Sequence, residues 1–298
     1  MTSSASDRDF LAACVQFDVQ PGDVANNCAA MRAGVEEAVG AGAKLCVLPE
    51  LWSTSFHPHF DDSLVRQADE AERELAELSR VHGLVTVAST IEVVDDVVYN
   101  TAYVYDQGER IGAYRKIHLF SPNLEHRRHG RGNTPCLVET SLGRIGVMIC
   151  YDLRFPELAR YYFHRGAEIL AVPGQWPEAR AQHWRTLLRA RAIENEMFVL
   201  GCNRTGQEPS QRNGEAMPFP GDGRIVDPTG EILAAGSGDA GAIVASIEIR
   251  KVRTMRRILP IQRDQRPSVY RELFAETLPL MEALSRESAP GNDVDDDD

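Results

Sequence analysis

The sequence predicts a layered α/β fold, and three features indicate it. Short apolar runs that are rich in branched residues alternate with longer helical patterns along most of the chain. The second half repeats the alternation of the first half. Glycine and proline are spread evenly, and no linker or low-complexity stretch interrupts the pattern before the last residues. We therefore expect one domain over most of the 298 residues.

The first half of the chain contains five predicted strands and two predicted helices. One helix runs to about residue 41 with Asn26 or Asn27 as its N-cap, and the other is the charged amphipathic segment 68–83, which ends in glycine. The strands are predicted at 10–17, 45–49, 84–90, 97–106 and 111–116.

The second half contains two further helices between strands. The helix 155–166 has Pro156 in its first turn, where the missing N–H of proline costs little, and the longer helix covers 178–196. The strands are predicted at 144–150, 167–173 and 197–204, with shorter ones inside 223–236 and 241–249.

A glycine pattern at 236–241 has the spacing G-x-G-x-x-G that dinucleotide-binding sites share. Such a site needs a strand before the pattern and a helix after it. Here a strand pattern follows, so we interpret the segment as a hairpin turn.

The domain is predicted to span residues 10–250, after an N-terminal extension at 1–9. A C-terminal arm at 251–288 is predicted to pack on the domain or on a partner subunit. The segment 289–298 contains a run of aspartates, and we expect this acidic tail to be disordered.

Composition and charge argue against several classes of protein. The net charge of −12 argues against nucleic-acid binding, which needs clustered lysine and arginine. No apolar run approaches the ~20 residues that span a bilayer, so we expect no membrane segment. The N-terminus has neither a basic start nor an apolar core, which predicts no signal peptide and a cytoplasmic location.

The cysteines and histidines show no pattern that is typical of a metal site. The six cysteines contain no Cys-x-x-Cys pair and do not cluster with histidines, which also argues against a disulfide framework. His57 and His59 could bind a metal together, but no third ligand is evident. We therefore expect neither a metal nor an organic cofactor, and we interpret several cysteines as small buried apolar residues.

Cys150 is the strongest candidate for a reactive residue. It ends the apolar run 144–150 and stands just before a predicted helix. A strand-to-helix corner can present a side chain at the sheet edge beside free backbone N–H groups, as a nucleophile that forms an acyl intermediate requires. Taken alone, a cysteine at the end of an apolar strand is more often a buried packing residue with no chemical role.

Two charged residues at strand ends are candidate partners of that thiol. Glu50 follows five apolar residues, and burial there would raise the pKa of its carboxyl group. A carboxylate with a raised pKa is suited to act as a general base. The alternative is that Glu50 caps the next turn or faces solvent. Lys116 is one of three lysines among 32 basic residues. A compact ammonium suits a single oxyanion better than a wide guanidinium does, and the alternative is a solvated strand-end lysine.

Three segments resemble motifs of the nitrilase, or carbon–nitrogen hydrolase, superfamily, and they occur in the order of that family. VLPELW (47–52) is similar to its glutamate motif, YRKIHLF (114–120) to its lysine motif and GVMICYDLRFPE (146–157) to its nucleophile segment. The resemblance covers most of the chain, from about residue 10 to about residue 270. Two further segments are similar to the omega-amidase branch, namely 121–132 and 174–206.

The resemblance implies a four-layer α-β-β-α sandwich that pairs with a second subunit, and it implies catalytic roles. Glu50 would be the general base, Cys150 the nucleophile, and Lys116 would hold the oxyanion together with the backbone N–H of Tyr151. Glu125 would hydrogen-bond the lysine and help to place the substrate, and the alternative is an exposed loop residue.

The resemblance also implies residues that contact the substrate. Arg154 would face the carboxylate of a dicarboxylic monoamide, and the alternative is an ion pair with Asp152 or a nearby glutamate. Trp176 follows a predicted strand end, and this position predicts that it lines the pocket; the alternative is a structural aromatic residue. His183 and Trp184 lie on a helix with one face expected at a subunit contact, and we assign them no chemistry.

The implied activity is cleavage of a small carboxamide to a carboxylate and ammonia through a cysteinyl thioester, with water as the second reactant. Omega-amides of dicarboxylic acids, such as 2-oxoglutaramate or 2-oxosuccinamate, are the expected substrates. Within the superfamily, the alternatives are an amidase for deaminated glutathione, an N-carbamoyl amidohydrolase and a nitrilase. A non-catalytic binding or assembly protein and a redox thiol protein are the alternatives of other classes. The expected assembly is a homodimer or a higher homo-oligomer.

Overall fold

The computed structural model of the protein describes residues 9–287 and contains the predicted alternation of strands and helices. The predicted extension, except for its last residue, and the predicted acidic tail lie outside the described residues. The described chain divides into two compact units, residues 9–255 and 256–287.

The bounds of the secondary-structure elements are as follows. The strands are β1 (Phe10–Gln16), β2 (Ala43–Val47), β3 (Val85–Val94), β4 (Val97–Asp106), β5 (Glu109–Arg115), β6 (Cys136–Thr140), β7 (Gly143–Val147), β8 (Ile169–Gly174), β9 (Phe198–Asn203), β10 (Gln207–Pro209), β11 (Ala216–Pro218), β12 (Arg224–Val226), β13 (Ile232–Ala235) and β14 (Gly241–Ile247). The helices are α1 (Val24–Gly40), α2 (Asp62–His82), α3 (Pro156–His164), α4 (Ala181–Asn195), α5 (Arg250–Ile258), α6 (Ile261–Asp264) and α7 (Pro267–Glu287).

Two six-stranded sheets of similar design form the centre of the first unit. Their strand orders are β14-β1-β2-β3-β4-β5 and β13-β12-β9-β8-β7-β6. In each sheet three neighbouring strands are parallel, β1-β2-β3 in one and β7-β8-β9 in the other, and the strands that flank them run antiparallel. A separate hairpin consists of β10 and β11.

The alternation of side chains along the strands produces the layers. In β1, Ala12 and Cys14 belong to the core that includes residues of both sheets, whereas Ala13 and Val15 belong to the core that β1 shares with α1 and α2. A strand with both faces buried reads as a continuous apolar run, which is why the sequence identified these strands. The predicted α-β-β-α sandwich is confirmed.

Helix starts were predicted less well than strands, because caps depend on a single side chain. The cap of α1 is Asp23, whose carboxylate accepts the N–H of Asn26 at 3.1 Å, so the predicted asparagine caps were wrong. Asn27 is buried instead and donates to the backbone oxygen of Ser53 at 2.8 Å. Helix α2 begins before the predicted 68–83 segment, since Asp61 caps it by accepting the N–H of Leu64 at 2.8 Å.

The predicted hairpin turn at 236–241 was also wrong. Strand β13 lies in one sheet and β14 in the other, so this segment crosses between the sheets. The buried side chain of Gln16 holds the crossing by donating to the backbone oxygens of Ser237 at 2.6 Å and Asp239 at 2.5 Å. Sequence adjacency suggested pairing, but β14 pairs with β1.

Helix α4 packs on the second sheet through Trp184, which is buried within its own chain. A subunit contact through one face of this helix stays a prediction. The ring of Trp184 lies over two glycines, and a Cβ atom at Gly174 or Gly201 would come within 2.9 or 2.8 Å of it. The indole N–H donates to the backbone oxygen of Asp222 at 2.9 Å. Trp184 therefore fixes the helix to the sheet edge that carries the candidate site.

The second unit contains α6 and α7, and the sequence did not predict these helices. Helix α7 exposes several large apolar side chains, which are Val269, Tyr270, Leu273, Phe274, Leu278, Leu280, Met281 and Leu284. Their spacing follows the period of a helix. The packing of this arm on the domain or on a partner subunit stays a prediction. None of the helices within residues 9–287 combines the length and apolar character of a bilayer span.

The buried carboxyl group of Glu72 in α2 generates a prediction about stability. It accepts the indole N–H of Trp52 at 3.3 Å, and burial raises its pKa to about 7 from the ordinary 4.5. A raised folded-state pKa stabilises the fold below pH 4.5 and loses that effect as the pH rises through 7. We expect the loss at pH 9 to be about 3 kcal/mol of unfolding free energy.

Glu72→Gln should remove most of this pH dependence in urea unfolding measured between pH 5 and pH 9. Glu70→Gln is the matched control, because Glu70 lies on the same helix with an exposed side chain. Identical pH dependence in wild type and Glu72→Gln would show that Glu72 does not titrate in this range.

Candidate active site

Cys150 lies in a strained turn at the carboxyl end of β7. A short 3-10 helix, Cys150–Arg154, begins there, and the φ angle of Cys150 is +46°. Left-handed backbone at a non-glycine residue costs about 1–3 kcal/mol and occurs often at functional sites. The first N–H groups of a helical turn, including that of Tyr151, have no partner within the turn. The predicted corner is therefore present, but the strand ends before Cys150.

Asp152 ties this turn to the segment that carries Lys116. Its carboxylate accepts the N–H of Ile149 at 2.9 Å and the hydroxyl of Tyr114 at 2.7 Å. It also accepts the backbone N–H of His118 at 2.9 Å. Asp152 is thus fully engaged elsewhere, and the alternative of an ion pair with Arg154 was wrong.

Lys116, Glu50 and Glu125 form a buried ion cluster. The ammonium of Lys116 donates to Oε1 of Glu50 at 2.6 Å and to the two carboxylate oxygens of Glu125 at 2.9 and 2.8 Å. The exposed fractions of these residues are 1%, 0% and 3% respectively. The solvent-facing alternatives for all three residues were therefore wrong.

Asn100 completes the cluster, and the sequence did not single it out. Its side-chain amide donates to Oε1 of Glu50 at 2.8 Å and to Glu125 at 3.3 Å. Its backbone oxygen accepts the N–H of Lys116 at 2.9 Å. A buried asparagine inside the strand pattern 97–106 was the available signal, because such a side chain needs polar partners.

Burial and the mutual charges set the protonation of the cluster. Burial raises the pKa of Glu50, and the Lys116 ammonium offsets part of that rise. Burial alone would lower the pKa of Lys116, but Glu125 and Glu50 together hold it above its ordinary value. Burial, and then the charge of Glu50, raise the pKa of the Cys150 thiol well above its ordinary value. The resting thiol is therefore protonated and needs a base.

Gln175, which follows β8, contacts both Glu50 and Cys150. Its backbone N–H donates to Oε2 of Glu50 at 3.1 Å, and its side-chain amide donates to the backbone oxygen of Glu50 at 2.7 Å. Its own backbone oxygen accepts the thiol of Cys150 at 3.7 Å. No sequence pattern indicated this residue, since a glutamine after a strand is not distinctive.

Two small cavities meet at Cys150. One is lined by Glu50, Lys116 and Glu125, with apolar walls from Phe56 and Phe120, and its volume is about 20 Å³. The other has a similar volume of about 20 Å³ and is lined by Tyr151, Arg154, Trp176 and Arg180, among others. Each offers room for about one water molecule, and a larger cavity of about 370 Å³ shares Phe120 and Pro177 with both.

Arginines and aromatic rings form the outer wall of this site. The guanidinium of Arg154 lies 4.8 Å from the ring centre of Trp176, and its Nη2 donates to Nδ1 of His183 at 3.2 Å. Arg180 lies 5.7 Å from the ring centre of Phe120. Within residues 9–287, neither Arg154 nor Arg180 is ion-paired with a carboxylate. No sequence motif indicated Arg180 as a residue of the site.

Trp176 both lines the pocket and makes a structural hydrogen bond, which are the two alternatives that the sequence left open. Its ring lines the cavity beside Cys150, and its indole N–H donates to the backbone oxygen of Arg180 at 2.8 Å. The ring is therefore held in place while it forms a wall. The pair His57 and His59, for which the sequence offered no third metal ligand, is linked internally, with Nδ1 of His57 at 2.5 Å from the backbone oxygen of His59.

Comparison with known proteins identifies the family. The model of the carbon-nitrogen hydrolase family matches residues 11–257. The chain is 35% identical over 260 residues to a 2-oxoglutaramate amidase of Bacillus subtilis, a match that covers 86% of this chain and 98% of the relative. It is 34% identical over 275 residues to a chloroplastic omega-amidase of Arabidopsis thaliana, covering 86% and 72%.

The fold agrees with this result. The crystal structure of a carbon-nitrogen hydrolase from Helicobacter pylori aligns with a TM-score of 0.78 at 25% identity, covering 90% of this chain and 99% of that chain. The resemblance predicted from the three sequence motifs is confirmed. The chain therefore belongs to the carbon–nitrogen hydrolase family and is a hydrolase of carbon–nitrogen bonds other than peptide bonds.

Proposed function

We propose that the protein is a thiol-dependent amidohydrolase that releases ammonia from a small carboxamide through a cysteinyl thioester. The observation that carries this proposal is the arrangement around Cys150. A protonated thiol, a buried carboxylate and a buried ammonium lie around one cavity, and they come from three distant segments. These are the groups that acyl transfer to sulfur requires.

The first half of the reaction forms the thioester. Glu50 takes the proton of Cys150, and the sulfur attacks the amide carbon. The oxyanion is held by the Tyr151 N–H and by Lys116, which exchanges one of its two contacts with Glu125 for the new oxygen. The C–N bond then breaks, and Glu50 gives its proton to the departing nitrogen, so that ammonia leaves.

The second half regenerates the thiol. Glu50 takes a proton from water, and the resulting hydroxide attacks the thioester carbon. The second oxyanion occupies the same position as the first. The C–S bond breaks, the carboxylic acid is released, and the proton on Glu50 returns to the sulfur. Glu125 keeps the ammonium in place throughout.

The substrate class follows from the charges of the outer wall. Arg154 and Arg180 line the cavity beside Cys150 with no carboxylate partner among residues 9–287. A guanidinium binds a carboxylate in a bidentate fashion, so the acyl group of the substrate carries an anionic end. Omega-amides of dicarboxylic acids, such as 2-oxoglutaramate, have this form, and the names of the Bacillus and Arabidopsis relatives support it.

The alternatives within the superfamily differ in the acyl group rather than in the chemistry. Deaminated glutathione and N-carbamoyl acids are also anionic, so a substrate panel that measures ammonia release distinguishes them.

We also propose a cytoplasmic location and a homo-oligomeric assembly, in line with the sequence. A non-catalytic protein or a redox thiol protein would release no ammonia from any amide.

Cys150→Ala should abolish ammonia release from 2-oxoglutaramate, because no other group of the site can form the thioester. Glu50→Gln should lower kcat by at least about 100-fold, since it removes the proton carrier of both halves. Lys116→Arg should also lower kcat, because a wide guanidinium cannot replace a point ammonium between two carboxylates.

Cys28→Ala and Glu70→Gln serve as controls, because they remove a thiol and a carboxylate away from the site, and both should keep wild-type kcat. Undiminished turnover in Cys150→Ala or in Glu50→Gln would reject the mechanism.

Arg154→Ala should raise KM for 2-oxoglutaramate by about 10- to 100-fold, which is the effect of losing a charged hydrogen bond. Its KM for a neutral amide such as propionamide should change little. Arg73→Ala, an exposed arginine on α2, is the matched control. An equal rise for anionic and neutral amides would remove the assigned role in carboxylate binding.

A further inference from the structure

Gln175 is the residue that joins the two reacting groups of the proposed mechanism. It contacts Glu50 through its backbone N–H and its side-chain amide, and it contacts Cys150 through its backbone oxygen. Its exposed fraction is 5%, so these contacts exclude bulk water. A residue in this position controls the geometry of proton transfer from sulfur to carboxylate.

The two carboxylate oxygens of Glu50 are in different situations. Oε1 accepts Lys116 at 2.6 Å and Asn100 at 2.8 Å, which uses both of its lone pairs. In the described part of the chain, Oε2 accepts one N–H, that of Gln175 at 3.1 Å. One lone pair of Oε2 is left for the thiol proton. The Gln175 backbone therefore determines where this lone pair points.

The side chain of Gln175 is fixed by a buried polar network. Its Oε1 accepts Nη1 of Arg204 at 3.1 Å and the hydroxyl of Ser55 at 3.2 Å. Arg204 has an exposed fraction of 0% and pairs with Glu208 at 2.6 Å and Asp18 at 2.8 Å. A buried charge is costly unless all its donors are satisfied, so this arginine holds its acceptors in one geometry.

The backbone on both sides of Gln175 is clamped as well. Asn203 accepts the N–H of Trp176 at 2.6 Å and donates to the backbone oxygen of Trp176 at 3.0 Å. The backbone oxygen of Gly174 accepts the N–H of Glu50 at 3.3 Å. The ends of β8 and β9 thus hold Gln175, and Gln175 holds the base.

We propose that Gln175 is a positioning residue that aims Oε2 of Glu50 at the thiol of Cys150, and that Arg204 fixes Gln175 for this purpose. The inference rests on the proposed function, because it assumes Glu50 as base and Cys150 as nucleophile. It adds that the side chain of a residue outside the three catalytic side chains sets the efficiency of proton transfer. Gln175 does not itself exchange a proton.

Gln175→Ala should lower kcat by about 10- to 100-fold, since displacements near 1 Å have effects of that size, while KM changes by less than about twofold. The acid limb of the pH–kcat profile should move to higher pH, because a carboxylate with a weakened N–H donor binds its proton more tightly. Alkylation of Cys150 by iodoacetamide should slow in parallel, which gives a readout that needs no amide substrate.

Gln175→Met, which keeps the volume of the side chain, should show the same changes and replaces Gln175→Ala if the smaller residue does not fold. Arg204→Lys keeps the charge but loses the forked geometry, so it should lower kcat in the same direction. Adding Arg204→Lys to Gln175→Ala should produce less than the sum of the two effects, because both act on one contact.

Gln16→Ala is the matched control for truncating a buried glutamine. Gln16 has an exposed fraction of 2%, and its side chain makes hydrogen bonds to Ser237, Asp239 and Gly223. This variant should lose stability but keep the wild-type acid limb. The comparison separates positioning from a general loss of packing.

Unchanged kcat, acid limb and alkylation rate in the folded Gln175 variants would overturn the positioning role, and so would an equal shift of the acid limb in Gln16→Ala. If Cys150→Ala abolishes turnover in the same experiment, the proposed function stands without the positioning role of Gln175. If Cys150→Ala retains turnover, the proposed function itself fails.

Discussion

The burial of the Lys116 ammonium between Glu50 and Glu125 is the constraint on which the rest of the site depends. Three charges with almost no solvent exposure are tolerable only if their donors and acceptors match. Asn100 supplies further donors, and Asp152 fixes the segment that follows the lysine. The cluster can therefore form only when strands that are remote in the sequence are in register. Once formed, its ion pairs and hydrogen bonds stabilise that register.

The proposed mechanism assigns this cluster the task of making a buried thiol reactive. When the proton of Cys150 moves to Glu50, that carboxylate becomes neutral and the sulfur becomes negative beside the Lys116 ammonium. Proton transfer therefore moves a negative charge within the site and creates no new charge. The raised pKa of Cys150 keeps the free thiol from reacting indiscriminately. The left-handed backbone at Cys150 holds the sulfur toward Glu50 and Gln175, a geometry that an ordinary strand or helix would not provide.

The two sheets position the site because strands that run in the same direction present their carboxyl ends together. Glu50 follows β2, Lys116 follows β5, Cys150 follows β7 and Gln175 follows β8. Ligands and reacting groups collect at such edges in α/β proteins, since loops there are free to vary while the strands are packed. The arginine-bearing outer wall comes from the turns at the ends of β7 and β8, so the proposed carboxylate contacts lie at the same edge as the reacting groups.

The sequence by itself determined the α/β class, most strands, and the positions of Glu50, Lys116 and Cys150 at strand ends, because buried strands and isolated charges leave local patterns. Only the tertiary structure decided the crossing at 236–241 and the contacts of Asn100 and Gln175. Those features depend on which strands are neighbours and on single hydrogen bonds between residues far apart in the chain. A local pattern carries no information about such partners, so their roles became visible only when both sheets were in place.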